Sequence, residues 1–156
     1  MMKERKWLIA MPDSERWDSS KSFDTKELAI VHGIAVLTKW NNATEKERRE
    51  MDLSDDISEG GGIGISDKQE DFEVGKVRYA AFPDATDNLL ELISEQAYDE
   101  YGEHAEDYLY DVTDDHKKEL SNLIADWAKR HNYLPDFFSI IKNEEVNIHY
   151  FNEVTE

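Results

Sequence analysis

Apolar positions recur with two different periods along the chain. Lys6 to Met11 (KWLIAM) is a short apolar run stopped by Pro12, which predicts a strand. Beyond a polar loop holding Trp17, the period lengthens. Ala29, Ile30, Gly33, Ile34, Leu37 and Trp40 recur at three- and four-residue steps. Asp24, with Glu27 three residues later, reads as a capping box ahead of that stripe. A helix is predicted from there to about Trp40, ended by Asn41 and Asn42. Val31, Ala35 and Val36 widen its apolar surface, and Gly33 predicts a close approach to another element. Phe72 to Phe82 (FEVGKVRYAAF) alternates imperfectly but is rich in strand formers, with Pro83 closing it. Thr86 or Asp87 is expected to cap a long acidic helix, and Thr113 to cap another whose stripe is His116, Leu120, Leu123, Ile124, Trp127 and His131. Phe137 to Ile141 and Val146 to Phe151 read as two final strands joined at Asn143, Glu144 and Glu145. This order predicts an α+β fold: a small, mostly antiparallel sheet with about three helices packed on it.

Residues 43–71 break both periods. Thr44 to Glu50 predicts a helical turn or two, with Glu45 and Arg49 one turn apart. Four of the seven glycines then fall between Gly60 and Gly64. A stretch this long without a period predicts a flexible insert within a single domain spanning 1–156.

Composition narrows the classes. The 156 residues carry a net charge of −18 and no Cys, which excludes disulfides, thiolate metal sites and a Cys nucleophile. Seventeen aromatic residues argue against disorder. The scattered Lys and Arg provide no phosphate-tracking surface, so direct nucleic-acid binding is not expected, nor is an anionic membrane. The apolar run from Trp7 to Met11 is too short for a signal-peptide core or a membrane span. A cytoplasmic protein with a basic protein partner is the expectation.

Charge is unevenly placed. Residues 79–116 hold twelve carboxylates and no Lys or Arg. Read as one helix at 100° per residue, Glu91, Glu95, Asp99, Glu103 and Glu106 fall within a sector of about 120°. Leu90, Ile93, Ala97, Tyr101, His104 and Tyr108 fall opposite. Solvated helical faces normally mix signs, and like charges one turn apart cost a few tenths of a kcal/mol per pair. The row thus predicts a surface offered to a basic groove, as a nucleic-acid mimic would offer one.

Other chemistry is weaker. Glu100, His104 and Asp107 share a helical spacing that suits an oxygen-rich metal site, but they lack the Glu-x-x-His pattern and a partner helix. GGGIGISD resembles a phosphate loop without its Lys, and reads as a charged flexible loop or lid. No Ser lies in a Gly-x-Ser-x-Gly elbow. Trp7, Trp40 and Trp127 are placed on core faces. Trp17 is expected to be exposed, either to anchor a partner or to fold back over a sheet edge. No cofactor is expected.

Three stretches carry a resemblance: WLIAMPDSERWDSSKSFDTKELAI, FEVGKVRYAAFP, and EQAYDEYGEHAEDYLYDVT followed by IADWAKRHNYLPDFFSI. Together they resemble small acidic proteins encoded by phages and prophages of Gram-positive bacteria. The likeness covers most of the chain outside 43–71 and is most specific from Ala97 to Thr113. It implies a protein made in the cytoplasm of a bacterial host and carries over no catalytic or binding residue. Three readings follow. The first is a non-enzymatic protein that binds and inhibits or modulates a host protein, a defence effector or nucleic-acid-handling enzyme, through Glu91, Glu95, Asp99, Glu103, Glu106 and Trp17. The second is a small-ligand-binding or metal-dependent enzyme, using the Gly60–Asp67 loop as a lid or Glu100, His104 and Asp107 as a metal site. The third is an assembly protein acting by oligomerisation.

Overall fold

A computed structural model describes residues 5–149. Its element order is β1 (Trp7–Ala10), α1 (Lys26–Asn42), α2 (Glu45–Glu50), β2 (Asp71–Tyr79), α3 (Thr86–Tyr101), α4 (Asp114–Arg130) and β3 (Phe138–Asn147). The class is α+β. The three strands form one antiparallel sheet in the order β1-β2-β3. Where the sequence predicts one domain over 1–156, the contacts group into two compact units. Unit 1 is Met1–Tyr79 with Phe138–Glu156, and unit 2 is Ala80–Phe137. Among the described residues no helix is long and apolar enough to cross a membrane.

In unit 1 the central strand β2 pairs Val74 with Ile9 on one side and with Glu144 on the other. A register shift between Lys76 and Val77 is the physical cause of the imperfect alternation in FEVGKVRYAAF. Phe72, Val74 and Val77 are buried while Lys76 is exposed. The outer edge of β1 is covered by Phe23, which exchanges two backbone hydrogen bonds with Trp7, and by Ser58, which bonds to Ile9 and Met11. The two expected final strands are one. Asn143, Glu144 and Glu145 do not turn; they continue β3 opposite Gly75, Val74 and Glu73. A turn signal is overridden there by cross-strand pairing with a long central strand. The predicted end of that strand, Tyr150 and Phe151, lies outside the described residues.

Helix α1 buries the predicted stripe of Ala29, Ile30, Gly33, Leu37 and Trp40 against β1 and β2. Val31 is more than half exposed, so the apolar surface is narrower than expected. The cap is Thr25, one residue later than predicted, and its hydroxyl accepts from Leu28 N at 3.1 Å. Gly33 lies against the Phe72 ring, the close approach that the sequence implied.

The segment 43–71, expected as a flexible insert, is pinned to the core. Leu53 and Ile57 join the cluster of Ile9, Leu37, Phe72 and Val74. Thr44 and Glu47 form a reciprocal capping box on α2. Arg48 is buried and donates to Trp40 O, Asn41 O and Ile65 O. Trp40 Nε1 donates to Asp67 O, and the Asn41 side chain exchanges two hydrogen bonds with Gln69. Long segments without a period can still be tied down by side-chain to backbone bonds, and no periodicity records those.

Unit 2 is a helical pair, α3 with α4, and holds 15 carboxylates against four Lys or Arg. Only Thr86 and Ala128 in it are buried. Leu123, Ile93 and Trp127, expected on core faces, are exposed, because two helices cover only part of each other's circumference.

Candidate functional site

The acidic stretch folds less simply than one helix. The N-cap of α3 is Ala85 and not the expected Thr86 or Asp87, which are already helical, and Ala85 offers no side-chain cap. Instead Asp84 accepts from both Thr86 N and Thr86 Oγ1, at 3.1 and 2.6 Å. Those two bonds, with a smaller contribution from the Ser121 hydroxyl, hold the Asp84 carboxyl below its ordinary range. Asp84 therefore belongs to the helix start. Thr113 caps α4, accepting from His116 N at 3.2 Å.

Helix α3 ends at Tyr101. Gly102 takes φ 59°, and the chain continues as a 3-10 turn through Ala105. Glycine is the residue that reaches this conformation without a Cβ penalty. The last turn also has no basic residue to favour the helix dipole, so nothing opposes termination. This corrects the single-helix expectation. Glu91, Glu95 and Asp99 share one exposed face of α3, whereas Glu103 lies in the 3-10 turn and Glu106 follows it. All five are exposed, and among the described residues none makes an ion pair. Leu92 and Tyr98, each about half exposed, lie on α3 beside that face.

The same break separates the metal candidates. Glu100 is on α3, His104 is in the 3-10 turn and Asp107 is beyond it, so the i, i+4, i+7 spacing does not describe one face. Among the described residues no group of three or more His, Asp or Glu side chains is placed to hold a metal ion.

What the break does bring together is an open cleft of about 280 Å³, bordered by Glu91 and Ser94 of α3, by Glu106, Tyr108 and Tyr110 of the following turn, and by Lys117 of α4. Lys117 Nζ lies 3.1 Å from Asp87 Oδ1. Leu109 takes φ 65°, and the tyrosines on both sides of it border the cleft. Sequence reasoning placed Glu91 and Glu106 in one row. It missed the tyrosines because it ran the helix through Gly102.

Trp17 is half-buried. A Cβ at Gly75 would meet its ring, so the indole lies over the central strand β2 and not over a sheet edge. Gly75 is the space that admits it. Trp7 is half-buried, Trp40 is buried, and Trp127 stacks on Tyr133 with ring centroids 5.3 Å apart. The residues from Gly60 lead through a 3-10 turn to β2 and not into a helix, so no helix N-terminus faces a phosphate there. Ser19 and Ser58, the buried serines, hydrogen-bond to each other at 3.0 Å. A hollow of about 460 Å³ near Lys39 and Met51 is bordered by Glu47, whose carboxylate already serves the α2 cap.

One cluster escaped sequence reasoning altogether. Asp56 accepts from Lys21 Nζ at 2.6 Å and contacts His32 Nε2 at 2.8 Å, with Phe23 packed on the His32 ring. It joins the loop before α1, α1 itself and the 43–71 segment. Burial pushes the Asp56 carboxyl up, but the hydrogen bonds and charges of Lys21 and His32 outweigh it and leave it below the ordinary range. A carboxylate held low in the folded chain stabilises the fold above its unfolded value, about 3.9 for Asp. That contribution is lost as pH falls through the lower folded value. Urea denaturation from about pH 6 down to about pH 3 is expected to show a loss of stability that is smaller in Asp56→Asn. An identical acid slope in the two proteins would remove Asp56 from the account.

Fold and site together define an α+β protein that carries an acid-faced helical unit. Comparison with protein-family models, with curated proteins and with solved structures finds no match to this chain.

Proposed function

We propose that this is a non-enzymatic, phage-encoded protein that binds a basic surface of a host protein and inhibits or modulates it. The carrying observation is the exposed face of Glu91, Glu95 and Asp99 on α3, with the exposed Glu103 in the turn after it, none of which makes an ion pair among the described residues. A face kept free of Lys and Arg bears a small repulsive cost that mixed charge avoids, and a cationic partner turns that cost into attraction. Leu92 and Tyr98 beside it supply the apolar contact area that charge alone lacks. The host target is a defence effector or a nucleic-acid-handling enzyme, whose phosphate-binding groove has the complementary sign.

The test is capture from host lysate, with the retained protein identified. Glu91→Gln, Glu95→Gln, Asp99→Asn and Glu103→Gln together are expected to reduce its retention at least tenfold at about 0.05 M salt and to leave the circular dichroism unchanged. The native chain is expected to lose the same partner by about 0.5 M salt. Equal retention by the quadruple variant sinks the proposal. An assembly role is favoured by one observation, the exposed Leu123, Trp127 and Tyr133. Sedimentation of the same preparations at two concentrations decides it, a monomer at both removing that reading.

A further inference from the structure

We infer that the cleft between α3 and the turn after it is a receptor for one arginine side chain of the partner. The inference rests on the reading of α3 as the partner-binding face and adds which side chain is recognised. Three carboxylates border the cleft: Asp87, Glu91 and Glu106. Lys117 is the one cation there, and its ammonium already sits 3.1 Å from Asp87. The cleft thus holds one cation, and Glu91 and Glu106 are left without one. Its volume, about 280 Å³, is below the roughly 300–1,000 Å³ of sites that enclose a small molecule, and suits a single side chain.

The aromatic border selects the kind of cation. Tyr108 and Tyr110 both face the cleft across Leu109, and both rings are exposed. A guanidinium is flat, weakly hydrated and has donors on two edges. It stacks on a phenol ring while bonding to carboxylates in its own plane. An ammonium is a strongly hydrated point charge that gains less from the rings. The two carboxylates therefore set the sign of the ligand, and the two tyrosines set its preference for arginine.

Blocked hexa-arginine and hexalysine peptides, equal in charge, are the probes, titrated into the full chain at about 0.02 M salt. The arginine peptide is expected to bind about fivefold more tightly. Tyr108→Leu with Tyr110→Leu is expected to bring the two peptides to parity. Glu95→Gln, Asp99→Asn and Glu103→Gln, which lie outside the cleft, are expected to weaken both peptides by the same factor and leave the ratio intact. Parity in the native chain, with both peptides still weakened by the second set, overturns the arginine cleft and leaves the acidic face standing. Failure of the native chain to bind either peptide overturns both. A preference that survives the tyrosine changes also overturns the cleft.

Discussion

Arg48→Met is expected to destabilise unit 1 by about 3 kcal/mol, whereas Arg49→Met, one residue further on and exposed, stays within about 0.5 kcal/mol. Arg48 is 6% exposed, and its guanidinium donates to Trp40 O at 2.8 Å, Ile65 O at 2.7 Å and Asn41 O at 3.2 Å. Trp40 and Asn41 are in the last turn of α1, where the dipole is negative and the Trp40 carbonyl otherwise accepts from the Ala43 N–H at 3.2 Å. Ile65 belongs to the glycine-rich loop. One side chain therefore caps α1 and fastens that loop to it, while its charge sits 5.3 Å from the centre of the Trp40 ring. Methionine replaces the apolar stem but brings no donor, so buried carbonyls lose a charge-assisted bond at roughly 1.5–3 kcal/mol each, offset in part by the desolvation that Arg no longer suffers. Arg48→Lys is expected to fall between, because a point charge does not span three carbonyls as a planar fork does. Urea midpoints at unchanged slope measure the effect. Coincident midpoints for R48M and R49M would show that the staple contributes nothing.

Phe72→Ala is expected to cost about 4 kcal/mol, the range for deleting a buried ring. Phe72 is fully buried in β2, and its ring rests on the face of α1 at Gly33. A Cβ added at Gly33 would overlap three atoms of that ring. Gly33→Ala therefore sets a gain of about 1 kcal/mol in helix propensity against an overpacking cost of about 1–3 kcal/mol, and is expected to lose. In a Phe72→Leu background the ring is gone and the same Ala becomes tolerable. A double-mutant cycle is expected to give a coupling of at least about 1 kcal/mol. Additive effects would mean that the contact between α1 and β2 is elsewhere relaxed.

Much of unit 1 was legible because its signals are local. The α1 stripe, the Gly33 contact and strands β1 and β2 each follow from a period of a few residues, and even the bulge left its trace as a lapse in alternation. The last strand was misread for the opposite reason. Asn143, Glu144 and Glu145 favour a turn in isolation, yet their backbone is consumed by β2. The acidic face was half legible. Spacing placed Glu91, Glu95 and Asp99 together correctly, and failed at Gly102, where a single φ of 59° redirects the chain and sends Glu103, His104, Glu106 and Asp107 elsewhere.

By itself the sequence determined the charge of −18 and its concentration in one stretch, the α+β class and the faces of α1, since these depend on composition and on neighbours within two helical turns. Tertiary structure alone decided that 43–71 is fastened to the core, that Asp56 gathers Lys21 and His32, and that Tyr108 and Tyr110 border the cleft with Glu91. Those contacts join residues far apart in sequence, 24 positions for Asp56 and His32 and 17 for Arg48 and Ile65. Side-chain to backbone bonds and partnered charges at such separations leave no period in the chain, because what fixes them is which segments the core has already brought within reach.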